Sequence, residues 1–366
     1  METLLRCRQL GIALPGCLLA AALGLTGCLD PESAVDDSGL IPLQDEVLVW
    51  NSPEQCRAVV ARGGRLPRES ADDVRLATWN IRWFPWGCPD PASCPDRHTD
   101  LEWTACALTW MDADIVALQE ILADSAALGQ TRRFLGQLGS LTSADWRIDL
   151  HDCGADSRQH VGFLWNASRI NVSDLADHAM LNGASDGGDA CSANLRPGRY
   201  ARVAAVGAGV DFHLFSVHFD SGREQRDFDN RRTAASRIPA LQLEGRSILD
   251  SDPDVIVAGD FNTMGRDGSP GVSASEEIIL MDEELAPGFK RLPMDPPCTE
   301  YYRDSAGALD HMVVSAGMSE AAGRARVSGP CAVLLCGDFQ EEPEAAYSRI
   351  SDHCPVILDI RNTDSD

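Results

Sequence analysis

The chain has 366 residues, 44% of them hydrophobic and 24% charged, with a formal net charge of −25. That apolar share excludes a disordered polymer, and the length excludes a fold that needs staples to make up for a small core. The acidity excludes a polycation that coats nucleic acid by counterion release. A nuclease stays open, because a bound divalent cation and a few local arginines can hold a phosphate on an acidic protein. Lys290 is the only lysine, so the cationic surface is arginine.

In chain order, Arg6 and Arg8 precede an apolar run from Leu10 to Leu25. A basic start and a short apolar segment make an export signal, too short for a membrane span. The run ends in Leu25-Thr26-Gly27-Cys28, which resembles the bacterial lipoprotein signal. The resemblance implies removal of residues 1–27, an acylated Cys28, and several acyl chains as a membrane anchor. Leu29 rather than aspartate follows Cys28, which favours the outer membrane. The lost segment carries Glu2, Arg6 and Arg8, a net of +1, so the mature charge is −25 − 1 = −26.

Residues 28–73 are expected to hold the lipidated N-terminus, a polar tether from Leu29 to Gly39, and a short helix from Ser52 to Arg62. Ser52 would cap that helix and Pro53 would sit in its first turn. Besides Cys28 the mature chain has ten cysteines, an even set that reads as disulfides in an oxidising compartment. Cys88 with Cys94 and Cys331 with Cys336 would close short loops. A zinc site from Cys88, Cys94, His98 and Cys106 would lack the tight Cys-x-x-Cys pairs of structural zinc.

Over residues 74–362, short β-branched runs alternate with polar clusters: Val74 to Trp79, Ile115 to Leu118, Val161 to Trp165, Arg199 to Val206, Asp211 to Val217, Val255 to Ala258, Leu309 to Val314 and Pro355 to Ile360. Helix-like stretches lie between them, among them Leu101 to Met111, Ser125 to Leu138 and Arg231 to Leu249. A mixed α/β sandwich follows, with two sheets inside and helices outside. The informative feature is what ends the strands: Asn80, Glu120, His218, Asp260-Phe261-Asn262, Asp310-His311 and Asp352-His353. Carboxylates, amides and imidazoles gathered at strand ends are the inventory of metal-assisted phosphate-ester hydrolysis.

The strings Ala77-Thr78-Trp79-Asn80-Ile81-Arg82, Leu118-Gln119-Glu120, Ser216-Val217-His218, Gly259-Asp260-Phe261-Asn262, Leu309-Asp310-His311 and Ser351-Asp352-His353 occur in one order across the chain. Together they resemble the endonuclease/exonuclease/phosphatase superfamily. The resemblance implies a deoxyribonuclease I-like four-layered α/β sandwich, two mixed β-sheets flanked by helices, with the site at one edge of the sheets. It implies Glu120 as principal ligand of a divalent metal, with Asn80 beside it and Asp352 completing the site. Oxygen donors suit Mg2+, with Mn2+ or Ca2+ as alternatives. Asp260 would position or deprotonate the attacking water, Asn262 would hold it in line, and His353, oriented by Asp310, would steady the phosphate. His218 would be a second histidine paired with Asp152. Arg196 matches an arginine that touches the phosphate backbone, with Tyr200 as a weaker candidate. His311 reads as structural.

The stretch Arg223, Arg226, Arg231 and Arg232 is either a solvated helix face or a phosphate-contacting rim. Trp83, Phe84 and Trp86 could stack on bases but read better as core. The leading expectation is a secreted, membrane-anchored, metal-dependent phosphodiesterase acting on DNA or RNA. His218 with Asp220-Ser221-Gly222-Arg223 favours nucleic acid because it resembles the His-x-x-Ser-Gly segment of secreted bacterial nucleases. The alternatives are a sphingomyelinase-type phospholipid phosphodiesterase and a catalytically inactive surface binding protein. No protein partner is expected, and the chain is expected to be a monomer.

Overall fold

A computed structural model describes residues 43–89, 98–153, 159–184, 195–207, 209–302, 305–321, 323–337 and 345–364. The export signal, Cys28, the Leu29 to Gly39 segment, Cys94 and Cys191 lie outside the described residues.

One sheet has seven strands, in spatial order Met294–Asp295, Ala325–Val327, Val356–Ile360, Val74–Phe84, Ile115–Ile121, His160–Asn166 and Trp146–Leu150. The other has six: Phe289–Arg291, Asp310–Ser315, Val255–Asp260, Asp211–His218, Gly198–Ala205 and Ile170–His178. Each sheet has a parallel pair at its centre, Val74–Phe84 with Ile115–Ile121 and Val255–Asp260 with Asp211–His218, and the seven-stranded sheet has a second at its edge, Met294–Asp295 with Ala325–Val327.

Alternation along these strands sorts the apolar side chains into three layers. Leu76, Ile115, Ala117, Phe163, Leu214, Ile256 and Met312 pack between the sheets. Their neighbours Ala77, Trp79, Val116 and Leu118 face helices Gln44–Asn51, Pro53–Ala61, Leu101–Met111 and Ser125–Thr142 through Val49, Val59, Trp103 and Phe134. On the far side, Phe215, Val217, Val257 and Val313 face helices Gln225–Arg237 and Ala274–Leu285 through Ala234, Met281 and Leu285. The result is a four-layered α/β sandwich.

Three expectations change. The helix expected from Arg231 to Leu249 starts earlier and ends sooner, at Gln225–Arg237. Pro239 sits in the single turn Ile238–Ala240 and cannot continue the ladder. Ser52 does cap Pro53–Ala61 through Gln55 N, but a second helix, Gln44–Asn51, precedes it, and Trp50 packs edge-on against Trp79. Cys331 pairs with Cys354 and Cys336 with Cys298 rather than with each other. Cys331 lies in helix Pro330–Leu334, whereas Cys336 follows its end, where Leu335 and Cys336 both turn left-handed (φ 49° and 59°), and each thiol reaches a different partner. Cys106 is bonded to Cys56, which removes it from the zinc quartet.

Candidate active site

The alternation that builds the inter-sheet core also builds the site. Even-numbered positions of Val74–Phe84, Asp211–His218, Val255–Asp260 and Asp310–Ser315 face the other sheet. Past the apolar run, the same face delivers Asn80, His218, Asp260 and Asp310. Beneath them the seam turns polar: Gln119 Nε2 donates to Thr78 Oγ1 (3.2 Å) and Ser216 Oγ (3.1 Å), and Ser216 Oγ donates to Leu118 O.

Glu120 has the wrong parity, because 116 and 118 face the helices. Its pairing shifts register between Leu118 and Ile121, and Glu120 itself takes φ 62°. This bulge with a left-handed residue re-aims the carboxylate into the site. Asn262, at φ 52°, is turned the same way past Asp260. Gly259 is required by close approach, since a Cβ there would lie 2.0 Å from Val217 O.

Asn80 Nδ2 donates to Asp260 Oδ2 (3.0 Å) and Glu120 Oε1 (3.2 Å), and its Oδ1 accepts from Arg82 N. Asn80 thus offers hydrogens to the carboxylates, and it would have to flip its amide to offer oxygen to a cation. Glu120 Oε2 accepts from Trp83 N. Asp260 Oδ1 accepts from Asn262 N, and Asn262 Nδ2 donates to Phe219 O. Ser351 Oγ donates to Asn80 O and accepts from His353 N, fixing Asp352 and His353 beside strand Val74–Phe84.

Two histidines flank Asp260 with opposite protonation. His353 Nδ1 lies 2.8 Å from Asp310 Oδ2. Burial pulls this imidazole down, but Asp310, Asp260 and Asp352 together hold it well above the ordinary value, so it is cationic. His218 is held well below by burial and by the charges of Arg196 and His353, so it is neutral. Its Nε2 lies 3.4 Å from Arg196 Nη2 and 3.5 Å from Asp260 Oδ2. Burial pushes Asp260 up to about 7 and also raises Glu120, which Asp352 raises further. Such a split pair is the arrangement that assigns acid and base roles.

The donor set suits a hard divalent cation. Glu120 and Asp352 supply oxygens, and Asp260, Asp310 and His353 have ligand atoms within 4.8 Å of one another. Asp310 Oδ1 is buried without a hydrogen-bond partner among the described residues. His353 Nδ1 is engaged by Asp310, so the carboxylate oxygens are the donors that could hold a cation most directly.

Three expected residues stand elsewhere. Asp152 does not meet His218; it is exposed, with its N–H bonded to Asp177, and His218 Nδ1 has no partner among the described residues. Tyr200 donates to or accepts from His213 Nδ1 at 2.8 Å and packs on Phe215. Its neighbours Ala201 and Val203 face between the sheets, so parity turns Tyr200 to the helix side. Arg223 is exposed and paired with Asp267. Arg196 is in the site, 3.0 Å from Gln159 Oε1.

The rest of the arginine stretch is also committed: Arg226 to Asp227, Arg231 to Glu277 and Arg232 to Glu284. Arg231 is buried and donates besides to Gly222 O and Gly265 O, while Glu277 accepts from Gly265 N. This pair clamps the loop after His218 to the loop after Asn262. Phe84 is core, edge-on to Phe134, and Trp83 and Trp86 are half-buried. The reading of the sequence missed Glu300, a buried carboxylate beside His353, because no strand-end motif contains it.

The model of the Endonuclease/Exonuclease/phosphatase family matches residues 77–353, from the strand that carries Asn80 to His353 itself. The chain belongs to this family. It is thus one of the family's phosphoester hydrolases by descent, with residues at the strand ends that could hold a metal. No curated protein matches the sequence. Among solved structures, this family member resembles an endonuclease/exonuclease/phosphatase protein from Bacteroides vulgatus at 17% identity and TM-score 0.51, over 79% of this chain and 99% of that one. A family protein from Bacteroides thetaiotaomicron aligns at 16% identity and TM-score 0.50, over 80% and 98%. D. rerio TDP2 complexed with a single-strand DNA product aligns at 16% and 0.50, over 79% and 99%. At these identities the likeness shows the fold.

Proposed function

We propose that the protein is a divalent-metal-dependent phosphodiester hydrolase acting on DNA or RNA, exported and tethered to the outer membrane through a lipid on Cys28. The observation that carries the chemistry is the pair of histidines about Asp260: His218 Nε2 lies 3.5 Å from Asp260 Oδ2, and His353 is held by Asp310 through Nδ1 at 2.8 Å. A diester needs a group to take the proton of the attacking water and an acid to meet charge on the phosphate or leaving oxygen. Neutral His218 or Asp260 can take the proton, and His353, fixed by Asp310, can supply the acid. Arg196, buried against His218, offers a guanidinium to a phosphate oxygen. The bound cation would neutralise phosphate charge and lower the pKa of its water.

Nucleic acid is favoured by the segment His218 to Arg223 and by the precedent of D. rerio TDP2, whose structure holds a DNA product on the same fold. A basic rim does not enter this reading, because Arg223, Arg226, Arg231 and Arg232 each face a carboxylate. The test incubates the full chain with supercoiled plasmid and Mg2+ or Ca2+, beside a chelator control, and with sphingomyelin vesicles. Nicking that chelator abolishes supports the nuclease. Intact plasmid with choline release would replace it by the phospholipid reading.

A further inference from the structure

Hairpin Glu300–Tyr302/Ser305–Gly307 brings a side chain to the site that none of the strand ends supplies. Glu300 bridges antiparallel to His353, Tyr301 N donates to Asp352 O (3.0 Å), and Cys354 N donates to Thr299 O (2.7 Å). Directly opposed residues of an antiparallel pair project to one face, with Cβ atoms about 4.5–5.5 Å apart. Glu300 therefore stands beside the His353 ring. It is 7% exposed, and among the described residues no hydrogen bond or ion pair reaches its carboxylate. The charges that act on it are those of His353, Asp352, Asp260 and Asp310.

The carboxylates around it differ in what they have left to give. Glu120 spends its oxygens on Asn80 and Trp83, and Asp260 spends its own on Asn80 and Asn262. Asp352 has only long contacts, 3.5 Å to Ser351 Oγ and 3.8 Å to Arg82 Nη1. Glu300 has none. A buried, unpaired carboxylate among three others is costly unless it is protonated or faces a cation. Burial and the neighbouring carboxylates push Glu300 up to about 8, so the two cases need separating by experiment.

We propose that Glu300 is a ligand of the divalent cation at this site, holding it with Asp352 directly or through its water shell. Mg2+ is ordinarily held by one or two carboxylates and keeps several waters; among the described residues the uncommitted oxygens at this site are those of Glu300 and Asp352 and Oδ1 of Asp310, and only Glu300 has neither oxygen engaged. The assignment rests on the metal-dependent reading above but not on the identity of the substrate.

The test is Mn2+ binding by the full chain, stripped with chelator, followed by the electron paramagnetic resonance of free Mn2+ without substrate, together with thermal melting. Glu300→Gln should lose at least about tenfold in Mn2+ affinity, the size of effect that ligand-shell changes produce. It should melt no lower than wild type in chelator, and it should lose most of the metal-induced rise in Tm. Unchanged affinity and an unchanged rise would overturn the assignment and leave Glu300 a neutral buried acid. If Glu300→Gln does not fold, Glu300→Asp keeps the charge and shortens the reach: weakened Mn2+ binding supports the assignment and wild-type binding overturns it. Absence of Mn2+ binding by wild type would overturn the metal reading itself, an outcome distinct from failure of Glu300 alone.

Discussion

Asp310 fixes the proton of His353: Asp310 Oδ2 and His353 Nδ1 are 2.8 Å apart, and both side chains are buried. Removing the charge in Asp310→Asn keeps the shape but lets burial pull the imidazole down. Activity that needs cationic His353 is lost as pH rises through its pKa, so the alkaline limb of the rate profile should move to lower pH. The rate at pH 8 should fall by about 10²- to 10⁴-fold. A profile that keeps its limb would show that Asp310 does not hold the proton.

Stability in chelator should fall as pH rises above 6.5. Asp260 is raised to about 7 and Glu300 to about 8, so over that interval the folded state holds protons that the unfolded state has released. His353 is raised as well, and its contribution is present below 6.5 and lost as pH passes its folded value. All three have the same sign. The buried histidines held low, His151 and His311 at about 3, act in the opposite direction only below 6.5. Tm measured in EDTA should therefore drop between pH 6.5 and 9, and Mg2+ should reduce the drop. A rising Tm over that interval would contradict these protonation states.

The Arg231–Glu277 clamp predicts a coupled loss. Breaking a buried pair leaves an uncompensated charge, so Glu277→Ala should cost about 3–5 kcal/mol in denaturant unfolding. It should also lower kcat in the molecules that remain folded, because Gly222 and Gly265 lose their shared anchor. Normal stability would show that the pair is not buried as described.

Salt should matter little. A protein that neutralises six to ten phosphates loses about 10³–10⁵ in affinity between 50 and 200 mM salt. Here the arginines after His218 are neutralised by Asp267, Asp227, Glu277 and Glu284, on a chain of net charge −25. With Mg2+ held constant, kcat/KM on DNA should change by less than about tenfold over that range. A steep fall would reveal a basic surface outside these pairs.

Much of the fold and most of the site were legible in the sequence, for one physical reason. A strand with two buried faces reads as a β-branched run, and the first polar residue on its inter-sheet face marks where the core ends. That picks out Asp260 and Asp310 directly, and on the other two strands it reaches Thr78 and Ser216, one step beneath Asn80 and His218 on the same face. Glu120 was legible only through its motif, since its parity is wrong and a bulge corrects it. Tyr200 misled because a register of one residue decides which face a strand residue takes, and a strand start near Arg196 does not fix that register. Arg223 to Arg232 misled because their carboxylate partners come from other elements, Asp267, Glu277 and Glu284. Glu300 left no signal: it lies in a three-residue strand whose importance comes from pairing with residue 353. The pairing expected of Cys331 with Cys336 failed for a similar reason, since proximity in sequence says nothing of thiol direction.

The most direct test of a metal-dependent phosphodiester hydrolase built on these strand ends is the rate on bis(p-nitrophenyl) phosphate. It would be measured for the full chain with Mg2+, with EDTA, and for Glu120→Gln and His353→Asn in Mg2+. The account predicts hydrolysis by wild type that EDTA abolishes and that each variant lowers by about 10²-fold or more. Hydrolysis that survives EDTA, or folded variants that keep the wild-type rate, would contradict it.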